Sequence, residues 1–254
     1  MSILDSGQAA VRWHDALDST NAEARRLAEA GQAGPLWIAA RRQTAGRGRL
    51  GRIWQGAAGS LAATLLISVE LEPAEAAQMS FLAALAVHDL LAGHAPRAEI
   101  RFKWPNDVQI AGRKAAGILI ESGRRARGAL WLAVGIGVNL AAAPEGVEPP
   151  PAALADHLPP RASPPSPETA LAELDASLAR WIGVWRGAGG FLAVREAWLD
   201  HAAGLGAACT ARMGSAALTG VAEGLDADGA LLLRLETGAR ERITAGDVFF
   251  GDIA

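Results

Sequence analysis

The chain has 254 residues, half of them hydrophobic and a fifth charged, which is room for one large core or a core plus a small appendage and excludes a mostly disordered chain. Its 24 Lys and Arg stand against 27 Asp and Glu, a net charge of -3, so no protein-wide field draws in nucleic acid and any cationic function must be local. The one cysteine, Cys209, admits no internal disulfide, the five histidines fall at no zinc-ligand spacing, and neither a leader nor an apolar run of spanning length is evident, so an unexported cytoplasmic protein without a membrane segment is expected.

Thr20-Asn21-Ala22-Glu23 carries the side chains of a capping box and predicts a short amphipathic helix running to Gly31. Residues 35–40 read as a buried strand feeding a glycine- and arginine-rich loop from Gly46 to Arg52. A strand over 61–69 and one long apolar helix over 73–94, with proline in its first turn, follow. Strands over 99–104, 115–121 and 129–140, divided by Pro105-Asn106-Asp107, Ala111-Gly112 and Gly123-Arg124-Arg125, imply antiparallel pairing. Nine of the thirteen prolines lie between Pro144 and Glu168, an irregular connection with the character of a mobile flap. Helices over 168–185 and 191–199 precede a change of composition near Gly204. Beyond it, strand-like runs over 207–213, 217–222, 230–235 and 240–244 read as a small antiparallel barrel. The expected division is 1–203 and 204–254.

Of the 24 cationic residues only Lys103 and Lys114 are lysine, and both fall within one twelve-residue window. An ammonium kept in such an arginine-rich chain marks a place where guanidinium does not serve. Gly46-Arg47-Gly48-Arg49-Leu50-Gly51 matches a dinucleotide fingerprint formally, but Arg52-Ile53-Trp54-Gln55-Gly56 does not open the helix that such a fingerprint requires. What survives is either a polyphosphate-binding loop, with Arg47, Arg49 and Arg52 between glycines, or a solvated basic turn. Lys103-Trp104-Pro105-Asn106-Asp107 is either a site-bearing turn at a strand end or an ordinary hairpin turn. Lys114, with Gly117 three residues on, is a ligand-side lysine or a gatekeeper charge; Gly135-Ile136-Gly137-Val138-Asn139 ends a strand that approaches a ligand or bends under close packing. Ser19-Thr20-Asn21 is by itself a helix cap. No GxSxG elbow and no Walker loop occurs, so phosphates would be held by arginines.

Taken in order, Ser19-Thr20-Asn21, Gln43-Thr44-Ala45-Gly46-Arg47-Gly48-Arg49, Lys103-Trp104-Pro105-Asn106-Asp107, Lys114-Ala115-Ala116-Gly117-Ile118-Leu119 and Gly135 to Asn139 resemble the biotin protein ligases, over nearly the whole chain. The resemblance implies an α+β fold: a mixed sheet with helices, related to class II aminoacyl-tRNA synthetases, followed by an SH3-like barrel. It implies that biotin and MgATP give biotinyl-5'-AMP, from which a lysine of a biotin carboxyl carrier protein takes biotin. Carried over residue by residue, Arg49, Lys114 and Asp107 are the expected catalytic groups. Ser19, Thr20, Asn21, Gln43, Gly46, Arg47, Gly48, Arg49, Trp54, Lys114, Gly117 and Gly137 would bind biotin or the adenylate, and Lys103, Asn106, Asn139 and Arg52 the ATP. The glycine–arginine loop would close over the adenylate, and Asp107 would orient or deprotonate the acceptor lysine. Magnesium is implied by ATP alone; its ligands are not assigned.

Leu50 stands where the loop often carries another arginine, and the 144–168 segment offers no aromatic for stacking adenine. Eighteen residues before Ser19 are too few for a DNA-binding domain of about 50 residues, so a short form without operator binding is expected; a homodimer is allowed. The competing readings are a lipoate or octanoate ligase or transferase, and a noncatalytic module binding RNA or protein.

Overall fold

The computed structural model describes residues 9–125 and 129–251, so the leader reading of the first eight residues and the outer domain limits 1 and 254 lie outside the described residues. Seven strands, β1 (Ala10–His14), β2 (Leu36–Ala40), β3 (Leu61–Val69), β4 (Ile100–Lys103), β5 (Asp107–Ile110), β6 (Arg113–Arg124) and β7 (Leu130–Val138), form one sheet ordered β1-β2-β3-β7-β6-β5-β4. β1 runs parallel to β2 and every other pairing is antiparallel. Helix α1 (Thr20–Glu29) lies on one face, against β2, β3 and β7. The other face is covered by α3 (Met79–His94), with α4 (Pro167–Arg186) and α5 (Gly190–Leu199) packed on it. The second sheet is wholly antiparallel: β8 (Ala208–Met213), β9 (Ala216–Leu225), β10 (Leu231–Leu235), β11 (Arg240–Ile243) and β12 (Asp247–Phe250), ordered β11-β10-β9-β8-β12.

The period-2 geometry of β7 decides where the site can be. Leu130, Leu132, Val134, Ile136 and Val138 face the large core under α3. Alternate positions face α1 and shrink along the strand, from Trp131 and Ala133 in the smaller core to Gly135 and Gly137. An added Cβ at Gly135 would stand 2.0 Å from Asn21 Oδ1, and one at Gly137 would stand 2.3 Å from the Trp54 ring. One end of this face is thus filled by a helix, while the other is left open for polar and aromatic side chains from elsewhere.

Several expectations are corrected. The helix cap is Ser19, whose Oγ accepts from the Ala22 amide at 3.4 Å; Glu23 ion-pairs with Arg26 instead of closing a box on Thr20. The helix over 73–94 is interrupted at Gln78, which accepts from Trp185 Nε1 at 2.8 Å, giving α2 (Pro73–Ala77) before α3. By length and composition the 73–94 stretch is apolar enough to cross a membrane, contrary to the reading above, but most of it is buried as the core helix of the sheet. Strands β1, β5 and β12 are short and were not expected. β1 is a half-exposed edge, and β5 has only four residues between two turns. The proline-rich connection is docked at its middle: Ala152, Ala153 and Leu154 are buried, and the Ala152, Leu154 and Ala155 amides donate to the Lys114, Asn139 and Leu140 carbonyls at 2.9 Å. It straps the end of the sheet where β6 begins and β7 finishes.

Candidate active site

The glycine–arginine stretch folds back on itself as a small hairpin. Arg47 and Ile53 face each other, the Gly48 amide donates to the Arg52 carbonyl at 2.7 Å and the Trp54 amide to the Gly46 carbonyl at 2.9 Å. Its tip turns through Leu50 and Gly51, both in the left-handed region, at φ 54° and 73°. Leu50 and Ile53 point outward and are 72% and 75% exposed, while Trp54 turns inward onto the sheet. A cavity of about 160 Å³ lies beneath, walled by this hairpin, the start of α1, the 103–107 turn, the glycine faces of β6 and β7, and the start of β12.

At its inner end the cavity is polar and tightly ordered. Gln43 Oε1 accepts from the Thr20 amide (2.8 Å) and hydroxyl (3.2 Å), and Thr64 Oγ1 lies 2.8 Å from Thr20 Oγ1 and 2.7 Å from Asn21 Oδ1. Asn21 Nδ2 donates to Glu121 Oε2 at 2.8 Å, and Arg47 reaches the same carboxylate oxygen at 3.3 Å. Ser19, Thr20, Asn21 and Thr64 are all buried, which preorganises this part of the wall.

The rest of the wall is cationic over an aromatic floor. Lys114 Nζ sits 2.6 Å from Asp107 Oδ1 and 5.5 Å from the centroid of the Trp54 ring. Gly117 makes this fold-back of the lysine possible, since an added Cβ there would stand 3.0 Å from Trp54 and 3.2 Å from Lys114 Cε. Arg49 donates to Asn106 Oδ1 (3.2 Å) and the Gly246 carbonyl (3.1 Å), with Asp247 3.9 Å away; Arg52 pairs with the other oxygen of Asp247. Asn106 is itself held by donating to the Ile118 carbonyl at 2.8 Å. Burial pushes the Arg49 guanidinium below its ordinary range, against the pull of Asp247 and Asp107, so its charged form has lost solvation that an anion would restore. Trp54 Nε1 is buried and has no hydrogen-bond partner among the described residues.

The structure brings together Ser19, Thr20, Asn21, Gln43, Arg47, Gly48, Arg49, Arg52, Trp54, Lys103, Asn106, Asp107, Lys114, Gly117 and Gly137 around one cavity. Two expected residues fall elsewhere. Gly46 stands behind the wall, where a Cβ would meet the Trp54 carbonyl at 2.4 Å, so its task is close backbone approach within the hairpin. Asn139 is buried, with its Nδ2 donating to the Ala152 carbonyl at 3.0 Å, which ties down the strap, while its Oδ1 has no partner among the described residues. Sequence reasoning missed Thr64, Glu121, Asp247 and Phe249. Thr64, a hydroxyl in the middle of an apolar strand, carried a signal; the others belong to no local motif.

A protein-built magnesium cage does not fit this site. Asp107, Glu121 and Asp247 are each engaged by a cation, and the described residues contain no group of three or more metal-ligating His, Cys, Asp or Glu side chains. Magnesium would enter only as part of the nucleotide substrate.

Residues 13–139 match the Biotin/lipoate A/B protein ligase family, and residues 204–251 match the Biotin protein ligase C terminal domain. The chain is 46% identical to the biotin--[acetyl-CoA-carboxylase] ligase of Paracoccus denitrificans, across 92% of this chain and 98% of that protein. It is 28% identical to the bifunctional ligase/repressor BirA of Bacillus subtilis, across 94% of this chain and 73% of that protein. Among solved structures it superposes on the biotin protein ligase of Aquifex aeolicus in complex with biotin and ATP with a TM-score of 0.77, at 25% identity, covering 95% and 98% of the two chains.

Proposed function

The chain belongs to the biotin/lipoate A/B protein ligase family, and from that membership we propose how its residues carry out biotinylation. It is an ATP-dependent biotin ligase acting on biotin carboxyl carrier protein. The observation that carries the residue-level reading is the convergence of Arg47, Arg49, Arg52 and Lys114 on a slot floored by Gly117, Gly137 and Trp54.

In this reading the network of Thr20, Asn21, Gln43 and Thr64 meets the ring and ureido end of biotin, offering fixed polar atoms at the end of a mainly apolar slot. Arg49 and Lys114 lie beyond it, where the biotin carboxylate and the α-phosphate must approach each other in line. They neutralise the charge gathered there, and the hairpin excludes water from the mixed anhydride that results. Asn139, matched by the resemblance to the ATP site, ties the 152–154 strap to the end of the sheet and in this reading supports the nucleotide end of the site from behind. In the second half-reaction the acceptor amine attacks the acyl carbon and AMP leaves; Asp107 either takes the proton or holds Lys114 in place. The specific acceptor we infer is the carrier protein of acetyl-CoA carboxylase, modified in the cytoplasm. The net charge of -3 supports a ligase that does not bind DNA.

The test is biotin-dependent ATP–pyrophosphate exchange, with lipoate and octanoate as competing acids. Exchange is expected with biotin alone, and Lys114→Ala should lower it by about 100-fold or more, the scale of removing one preorganised cation. Exchange driven by lipoate or octanoate would move the chain to the sister activity within its family.

A further inference from the structure

The cations of the cavity wall are not alike. Arg47 is paired with Glu121, Arg49 and Arg52 with Asp247, and Lys114 with Asp107. Lys103 also lines the cavity, yet among the described residues it has no carboxylate within 4.0 Å; its Nζ lies 5.7 Å from the centroid of the Phe249 ring. The same ring is met by Arg212 of β8, whose Cζ is 5.0 Å from the centroid and which is equally without an acidic partner among the described residues.

The β8–β12 register makes the isolation of Arg212 informative. Asp247 is its directly opposed residue, on the same face of the sheet, and would be its natural ion-pair partner. Asp247 is instead turned toward Arg52 and Arg49 in the glycine–arginine hairpin. Two cations without an acidic partner among the described residues are therefore brought to one aromatic ring that lines the cavity, where an anion would meet both. Lys103 is also one of only two lysines in the chain, and the other, Lys114, stands at the same cavity.

We propose that Lys103, Arg212 and Phe249 form the subsite for the leaving pyrophosphate of the first half-reaction. The inference rests on the biotin-adenylating reading above. When a carboxylate oxygen bonds to the α-phosphorus, the bond from that phosphorus to the bridging oxygen breaks and its electron pair departs on pyrophosphate, which gains negative charge as it leaves. Arg49 and Lys114 serve the α-phosphate end; a separate pair of unpaired cations at the mouth receives the charge created at the other end. The second sheet thus contributes a charge to adenylate formation, through a residue 109 positions from Lys103 in sequence.

The experiment compares the wild-type enzyme with Arg212→Gln and Lys103→Gln, following biotin-dependent pyrophosphate exchange, inhibition by added pyrophosphate, inhibition by AMP, and single-turnover transfer from preformed biotinyl-AMP to the carrier. Arg212 is exposed, so its variant tests the idea without a cost to the core. Each variant should raise the KM for ATP and the inhibition constant of pyrophosphate by about tenfold, the scale of one lost charge-assisted contact, and leave AMP inhibition and the transfer step unchanged. Pyrophosphate inhibition unchanged in both variants would overturn the proposal, as would a loss confined to the KM for the carrier, which would make these cations part of its docking surface. Absence of biotin-dependent exchange in the wild-type enzyme would refute the adenylating reading itself, and is separately visible.

Discussion

Asp107 and Lys114 meet because β5 and β6 slip register between Val108 and Gln109, and because Gly117 leaves room for the lysine to lie back along its own strand. The KxxG spacing thus has a steric cause: any side chain at 117 would take the space used by Lys114 and Trp54. Replacing Asp107 with Asn removes the charge and keeps the shape. We expect transfer from preformed biotinyl-AMP to slow by about 100-fold with its pH profile altered, the usual scale for losing a proton acceptor. Normal transfer at every pH, with only adenylation impaired, would make Asp107 the residue that positions Lys114. At this scale the sequence was informative where chemistry is unusual, in two lysines among 22 arginines, whereas Ser19-Thr20-Asn21 by itself read as no more than a helix cap. It was silent on Glu121, which reads as one more charge toward the end of a strand until Asn21 and Arg47 are seen to share its carboxylate.

Asp89 of α3 gathers several donors from α4. Asp89 accepts from Ser177 Oγ and Arg180 at 2.5 Å and from Trp181 Nε1 at 2.7 Å, and these oppose the effect of its own burial. Burial alone would raise its pKa; hydrogen bonds from His88, Ser177 and Trp181 and the charge of Arg180 prevail and lower it from 3.8 to about 2. A carboxylate depressed in the folded state stabilises the protein above its unfolded pKa and loses that contribution as pH falls through the folded value. Denaturant titrations at pH 7 and pH 2.5 should therefore show a smaller acid-induced loss of stability in Asp89→Asn than in the wild-type protein, because the variant lacks the contribution from the start. Helices α4 and α5 and strand β3 were legible from their residue patterning, since each is long enough to repeat it. The break at Gln78 was not: no proline or glycine marks it, and the residue its side chain bonds to, Trp185, is 107 residues away. The short strands β1, β5 and β12 carry too few residues for alternation to stand out, and the sheet alone makes them strands.

The two sheets meet at the cavity. Trp104 Nε1 donates to the Gly229 carbonyl at 3.1 Å, Arg49 to the Gly246 carbonyl, and Asp247 holds Arg52, so the second sheet is a wall of the cavity. Asp247→Asn should loosen the hairpin. We expect trypsin to cut after Arg52 several times faster than in the wild-type protein, and the KM for biotin to rise about fivefold to tenfold, the scale of weakening one charged contact. An unchanged cleavage rate would show that Arg49 and its carbonyl partner suffice to hold the loop. The order of motifs along the chain made the family readable, but the joint between the sheets was not. Arg212, Asp247 and Phe249 lie in a segment whose local sequence is ordinary, and their meaning comes from what β4 and the hairpin bring opposite them.

That joint also has a bearing on how the enzyme is made. A chain emerging from the ribosome holds residues 47–54 long before residues 246 and 247 have been polymerised, and the hairpin's two firmest anchors are those late residues. Until they arrive, Arg52 lacks the carboxylate that pairs with it, and Arg49 has Asn106 but not the Gly246 carbonyl. A product terminated before them would carry the hairpin without its fastening to the second sheet, over a cavity that lacks one of its walls.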